Sequence, residues 1–486
     1  MQQHSFNLAR GFAISVLALA LTACQTMRGT EPVAQPNIET QFNTLPQAGD
    51  YPSLAELGYK DFFADERLIK IIDLALANNR DMRVATLNIQ KVQQQYRIAE
   101  NNELPTIGAS GSIIRQDNAS TPKAITSYSV GLGVTSYELD FWGRVRSLKD
   151  AALDSYLATQ SSKDATQISL ISQIAQSWLN YAYANARLTL AQQTLKAQQE
   201  SYNLNQKRFK AGIASEIPLR QSQISVETAR NDVATYQTQV AQAKNTLDLL
   251  VGQPVADELL AKTAVKNITK AQVLGTGLPS DLLNNRPDIR AAEYQLSAMG
   301  ANIGAAKARL YPSIRLTGTA GLASTDLSDL FKSGAFLWSV GPSLELPIFD
   351  WGTRKANIKI AETDQQIALA NYEKAIQNAF KEVNDALATR AFIIDRMNAQ
   401  QRLVEATGVN YKLSTARFNA GIDSYLNVLD AQRSAYSAEQ SLLVVYQANL
   451  NNQIELYKTL GGGIKVYQTD ERHHQPSSAD IHKKVD

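Results

Sequence analysis

The chain has 486 residues, a net charge of +2, 7% aromatic residues and a mean hydropathy of −0.25, so nothing in its charge marks a nucleic-acid binder. Ala, Gln, Asn and Ser are conspicuous, which suits long, thinly packed helices better than a thick globular core. No nucleophile motif or phosphate loop stands out. The four histidines are His4, His473, His474 and His482, and the paired His473-His474 reads as part of a polar tail. No enzyme activity, metal site or cofactor is therefore expected.

Residues 1–23 read as an export signal. Arg10 supplies the charge, and Gly11 to Leu21 form an apolar core too short to span a membrane as a helix. The segment ends in Leu21-Thr22-Ala23-Cys24, with small residues before the single cysteine of the chain, as in a bacterial lipobox. Cys24 is thus the expected lipidation site. Gln25 follows rather than the aspartate that retains lipoproteins at the inner membrane, which favours delivery to the outer membrane. Residues 24–60 read as a lipidated extended segment, rich in Pro, Gln and Thr to about Pro52 and without helical or strand period.

A first repeat is expected over residues 61–252. Its β-hairpin, 107–139, pairs Ile107–Arg115 with a strand in which Tyr128, Val130, Leu132 and Val134 alternate with Ser129, Gly131, Gly133 and Thr135. A polar loop, about Gln116–Thr126, joins them. A long helical hairpin, 143–251, follows. Arg144 to Ala211 is 68 residues without Gly or Pro, about 100 Å of helix at 1.5 Å per residue. Ile168, Ile171, Ala175, Trp178 and Ala182 step by three and four, as a coiled-coil seam does. The helix is expected to stop at Gly212 and restart with Ser215 as cap.

A linker, 253–277, leads to a second repeat over 278–461, with a β-hairpin at 313–346, a long helical hairpin at 352–460 and a polar tail from 462 to 486. Here Trp338, Val340, Pro342, Leu344 and Leu346 alternate with small or polar residues, and Ser313–Gly321 is the partner strand, joined through about Ala323–Ala335. Thr353 to Ala420 contains one glycine, Gly408, and no proline; Gly421 ends it, with Asp423 or Ser424 as the next cap. Trp142-Gly143 returns as Trp351-Gly352, and Arg208-Phe209-Lys210-Ala211-Gly212-Ile213 as Arg417-Phe418-Asn419-Ala420-Gly421-Ile422, both displaced by 209. A tandem duplication keeps such an offset.

Strands of about ten residues, apolar on one face and small or polar on the other, match a transmembrane β-barrel. Four strands cannot close one, and lipid cannot satisfy an open edge. The chain must then assemble. A dimer would supply eight strands, too few for an open lumen; a trimer would supply twelve.

The chain resembles the TolC-like outer-membrane factors, specifically the lipoprotein branch of OprM-type channels. The resemblance covers nearly the whole mature chain. It is carried by Gly277-Leu278-Pro279-Ser280-Asp281-Leu282-Leu283 with Arg286-Pro287-Asp288-Ile289, by Tyr311-Pro312-Ser313-Ile314, and by Arg417-Phe418-Asn419-Ala420-Gly421-Ile422-Asp423. Phe62-Phe63-Ala64-Asp65 with Leu74-Ala75-Leu76-Ala77-Asn78-Asn79 also fits, whereas Asn284-Asn285 stands where a more basic pair is expected. The resemblance implies a mixed α and β homotrimer, with a twelve-stranded outer-membrane barrel continued by a periplasmic helical barrel. It also implies an adaptor protein and an inner-membrane resistance-nodulation-division transporter as partners, outer-membrane lipid around the barrel, and passive conduction of drugs. The same duct could carry metal ions or secreted proteins; a lipid-tethered periplasmic coiled-coil scaffold is the reading from another class, opposed by the strands.

The resemblance further assigns a gate. Leu426 and Asp430 are four apart on one helical face. The spacing alone reads first as seam packing for Leu426 and an exposed helix charge for Asp430. The family pattern implies instead an apolar ring of Leu426 and an acidic ring of Asp430 about the threefold axis. Arg433 lies one turn from Asp430 and is the expected releasable latch to it. Arg208, Gly212 and Ile213 at the first tip, and Arg417, Gly421, Ile422 and Asp423 at the second, are the expected adaptor contacts. Arg208 and Arg417 are expected to cap carbonyls or pair with acids on a neighbouring helix.

Overall fold

A computed structural model describes residues 27–30, 32–36, 57–117, 124–270 and 285–462. Cys24, the expected export signal, the end of the linker from 271 and the histidine tail lie outside them. In order, the elements are α1 (Tyr59–Phe62), α2 (Glu66–Asn78), α3 (Arg80–Asn101), β1 (Ile107–Gln116), β2 (Ile125–Glu138), α4 (Arg144–Lys210), α5 (Glu216–Val251), α6 (Pro287–Ala308), β3 (Ser313–Ser324), β4 (Phe336–Glu345), α7 (Thr353–Asn419) and α8 (Tyr425–Thr459). The helices α4 and α7 each run 67 residues, as the absence of breakers predicts, and Gly408 does not interrupt the second. Among the described residues, no helix is long and apolar enough to cross a membrane. The chain divides into two compact units.

The unit formed by residues 1–36, 87–161 and 290–375 holds the strands. They make one antiparallel sheet in the order β1-β2-β3-β4, so β1 and β4 are its outer strands. Ile107 faces Val134, Ser313 faces Glu345, and between the hairpins Gly131 faces Gly321. Glycine is required at that crossing. A Cβ on Gly131 would stand 2.8 Å from Ala320 O, closer than real side chains come. The β2–β3 register shifts between Val134 and Tyr137, a bulge at the foot of the strand. The strands extend slightly past the expected bounds: β2 begins at Ile125, β3 reaches Ser324, and a 3-10 turn at Leu327–Asp329 occupies part of the second loop. Conversely β4 stops at Glu345, before Leu346.

The extended N-terminal segment is tied down in this unit. Arg28 donates to the carboxylate of Asp154 (3.2 Å), to the carbonyl of Ser297 (3.1 Å) and to the Ser297 hydroxyl. Gly29 N donates to Gly300 O at 3.1 Å, and Gln35 N to Glu373 at 3.0 Å. Burial pushes the carboxyls of Asp150 and Asp154 up, and the Arg28 charge opposes that shift.

The other unit comprises residues 37–86, 162–289 and 376–486. Its core contains the expected seam: Ile168, Ile171, Ala175, Trp178 and Ala182 are all buried. The Trp178 indole donates to Leu259 O at 3.0 Å, so its one polar atom is satisfied inside. Phe62 stacks on Tyr457 at 4.4 Å and meets Phe63 edge-on at 5.0 Å. Arg286 is buried, bridges Asp288 (2.7 Å) and Glu382 (2.9 Å), and donates to Thr459 O at the end of α8 (3.2 Å).

Candidate gate and hairpin tips

Both tips are built the same way. Glycine takes the left-handed conformation, with φ 71° at Gly212 and 74° at Gly421. Ile213 N then donates to Arg208 O (3.1 Å) and Ile422 N to Arg417 O (3.0 Å), while Gly212 N and Gly421 N reach Phe209 O and Phe418 O. These bonds close the last turns of α4 and α7. Ile213 and Ile422 are left 76% and 63% exposed, an apolar point on each tip.

The polar dressing differs from expectation. Ser215 and Ser424 occupy the cap positions with extended backbone, but neither hydroxyl makes a capping bond. At the second tip Asn427 N instead donates to the backbone carbonyl of Ser424 at 3.2 Å. Asp423 does not cap either, because Arg417 holds its carboxylate in a fork, Nε to Oδ2 at 2.6 Å and Nη2 to Oδ1 at 3.1 Å. That hydrogen bonding raises the Arg417 pKa and lowers the Asp423 pKa. Among the described residues Arg208 finds no acid, and Ala214 stands in the first repeat where Asp423 stands in the second. Its guanidinium lies over the Phe418 ring, 5.0 Å from the centroid.

Phe418 in turn meets Tyr425 at 5.3 Å, and the Tyr425 hydroxyl lies 3.0 Å from Ser201 Oγ. Tyr425, Val428 and Leu429 form a small buried cluster with Tyr411 and Phe418 against it. Burial pushes the Tyr425 hydroxyl pKa up. This aromatic brace ties α4, α7 and α8 together behind the tip. Sequence reasoning missed it, although its residues flank the repeated Arg-Phe pair.

The brace fixes which face of α8 is free. Tyr425, Val428, Leu429, Ala431, Gln432 and Ala435 are buried, while Leu426, Asp430 and Arg433 are exposed on the opposite side. Leu426 is 50% exposed, which excludes seam packing inside the chain. Leu426 and Asp430 therefore do share a solvent-facing stripe. Among the described residues no ion pair joins Arg433 to Asp430 within one chain. A lone pair of exposed charges gains little in water.

A model of the family described as outer membrane efflux protein matches residues 71–253 and again 278–462. The probable efflux pump outer membrane protein TtgC of Pseudomonas putida is 41% identical over 84% of this chain and 86% of its own. The cation efflux system protein CusC of Escherichia coli is 40% identical over 92% of this chain and 98% of its own. The open-state crystal structure of the Neisseria gonorrhoeae outer membrane channel MtrE superposes with a TM-score of 0.84, at 39% identity, over 91% of this chain and 99% of that one. The chain belongs to the outer membrane efflux protein family.

Proposed function

We propose that this protein is the outer-membrane channel of a tripartite multidrug efflux pump. Three copies close a twelve-stranded barrel in the outer membrane, and their long helices continue it into the periplasm. A membrane-fusion adaptor and a resistance-nodulation-division transporter of the inner membrane engage the tips, and substrate passes through without entering the periplasm. Cys24 carries lipid and anchors the chain to the same membrane. The observation that carries this reading is the sheet, whose outer strands β1 and β4 each have one open edge among the described residues. Ile107, Ile113, Trp338, Val340 and Leu344 are largely bare on it. Such edges and such a face are stable together only in a closed, lipid-facing assembly.

At the periplasmic end Leu426 and Asp430 form two stacked rings, apolar then acidic, across the closed pore. The apolar ring blocks by contact and dewetting, and the acidic ring favours cations. Arg417 and Asp423 hold the second tip in shape, and the points made by Ile213 and Ile422 meet the adaptor.

The relatives favour a second cargo as well, because CusC bears the name of a cation system and matches almost as closely as the solvent and antibiotic channels. Accumulation of a fluorescent amphiphilic dye in cells lacking this protein, with and without re-expression, separates the two. Accumulation that rises on deletion and falls on re-expression is expected for drug efflux. Unchanged dye levels with new sensitivity in a panel of metal cations would move the cargo to metal ions.

A further inference from the structure

At the foot of the β2–β3 pair, the turn leading from β2 into α4 folds against the residues that open β3. Leu139 N donates to Ile314 O at 2.8 Å. The Trp142 indole donates to Pro312 O at 2.8 Å, and its ring stacks on Tyr311 at 4.7 Å. The duplication supplies the same parts a second time. Leu104-Pro105-Thr106-Ile107 opens β1 as Tyr311-Pro312-Ser313-Ile314 opens β3, and Trp351-Gly352 follows β4 as Trp142-Gly143 follows β2.

Within one chain this second set stays apart, because β4 and β1 are the outer strands of the sheet. Trp351 is 95% exposed, Ile348 86% and Phe349 83%. The Trp351 ring meets Phe349 at 6.3 Å. Its backbone has φ 54°, the left-handed region that a bulky residue avoids, and no other described non-glycine residue has a positive φ. A strained and bare tryptophan is held in readiness for something the single chain lacks. Its counterpart Trp142 shows what that is: a proline carbonyl and an apolar side chain at the start of the neighbouring strand.

We propose that Trp351 is an intersubunit key, whose indole donates to the Pro105 carbonyl and packs on Leu104 of the next copy of this chain. Leu104 is 65% exposed, and beside it opens a cleft of about 310 Å³ lined by Thr106, Tyr137, Val145 and Leu148. Ile348 and Phe349 cover that cleft. The turn also has the reach to cross a chain boundary, since Trp142 stands four positions after Glu138 but Trp351 stands six after Glu345. This key rests on the reading of the sheet as one part of a closed multi-chain barrel.

The test is a short bismaleimide applied to the full-length, membrane-inserted protein carrying Trp351→Cys and Leu104→Cys together. Linked dimers and trimers on a denaturing gel are expected from the double variant and from neither single one. Trp142→Cys with Tyr311→Cys should link within one chain and leave the band monomeric. A double variant that gives no linked product, while its unboiled sample still runs as a trimer, overturns the key and leaves the barrel standing. A wild-type protein that never runs as a trimer unseats the barrel reading and the key with it. As a second readout, Trp351→Ala should lower the temperature at which the unboiled trimer dissociates by about 5 °C or more. Trp351→Phe should give a smaller shift, and an unchanged temperature in both counts against the key.

Discussion

The fork between Arg417 and Asp423 is the best-defined charged contact at the tips, and its chemistry gives a pH signature. The folded pKa of Asp423 lies below that of the unfolded chain, so the pair stabilises the second tip fully above the ordinary aspartate range, about pH 4. That contribution is lost as pH falls through the lowered folded value. The protection of the Gly421 and Ile422 amides against exchange, after the intrinsic rate at each pH is divided out, should therefore fall in acid, and Asp423→Asn should remove that fall. The gate makes a separate prediction: Leu426→Ala with Asp430→Ala should raise single-channel conductance severalfold and weaken cation preference. Unaltered conductance would place the constriction elsewhere. The shared stripe of these two residues was legible from their spacing. What lay beyond reach was every contact depending on a distant element, as with Arg208, whose partner is an aromatic ring more than two hundred residues away.

At the scale of elements, the absence of Gly and Pro over 68 positions was enough to fix a helix, because propagation needs nothing more once neighbours cover one face. Alternation likewise fixed the strands. The order β1-β2-β3-β4 needed the structure, since periodicity does not say which edges meet. The Gly131–Gly321 crossing is the tightest point of the β2–β3 contact, where a Cβ on Gly321 would fall against the backbone of Val130 and Gly131. Gly321→Val should prevent the sheet from forming, and the heat-modifiable trimer band should vanish on a gel; a normal band would mean that the strands can splay. The seam of α4 is as sensitive to a polar loss. Trp178→Phe keeps an aromatic side chain, though a smaller one, but deprives Leu259 O of its donor, which should cost about 1–3 kcal/mol and appear as a lower thermal midpoint of the helical signal.

For the whole molecule, long-range ties decide how far the pieces hold together, and few were visible in the sequence. Arg286 sits in a motif that drew notice for its resemblance, yet its work is physical: it joins its own loop to α7 and to the end of α8. Arg286→Ala should cost about 2 kcal/mol by removing one charged donor from Thr459 O and two half-exposed carboxylates. Arg286→Lys should restore part of it. The N-terminal segment read as a featureless tether, because Arg28 gives no periodic signal, but it is bonded to three helices, α4, α6 and α7. Cys24→Ala should weaken membrane anchoring while trimers still form, as alkaline extraction followed by unboiled gels would show.

The two tips began as copies and are no longer alike. Ala214 answers to Asp423, Ile217 to Leu426, and Gln221 to Asp430. In the proposed trimer six hairpins would therefore alternate in two chemical kinds, and only every second one would carry the Arg-Asp fork across its tip and an acidic gate residue. A ring of six identical partner subunits could not dock on them equivalently. It would meet two classes of site, and its binding isotherm should resolve into two steps of equal stoichiometry.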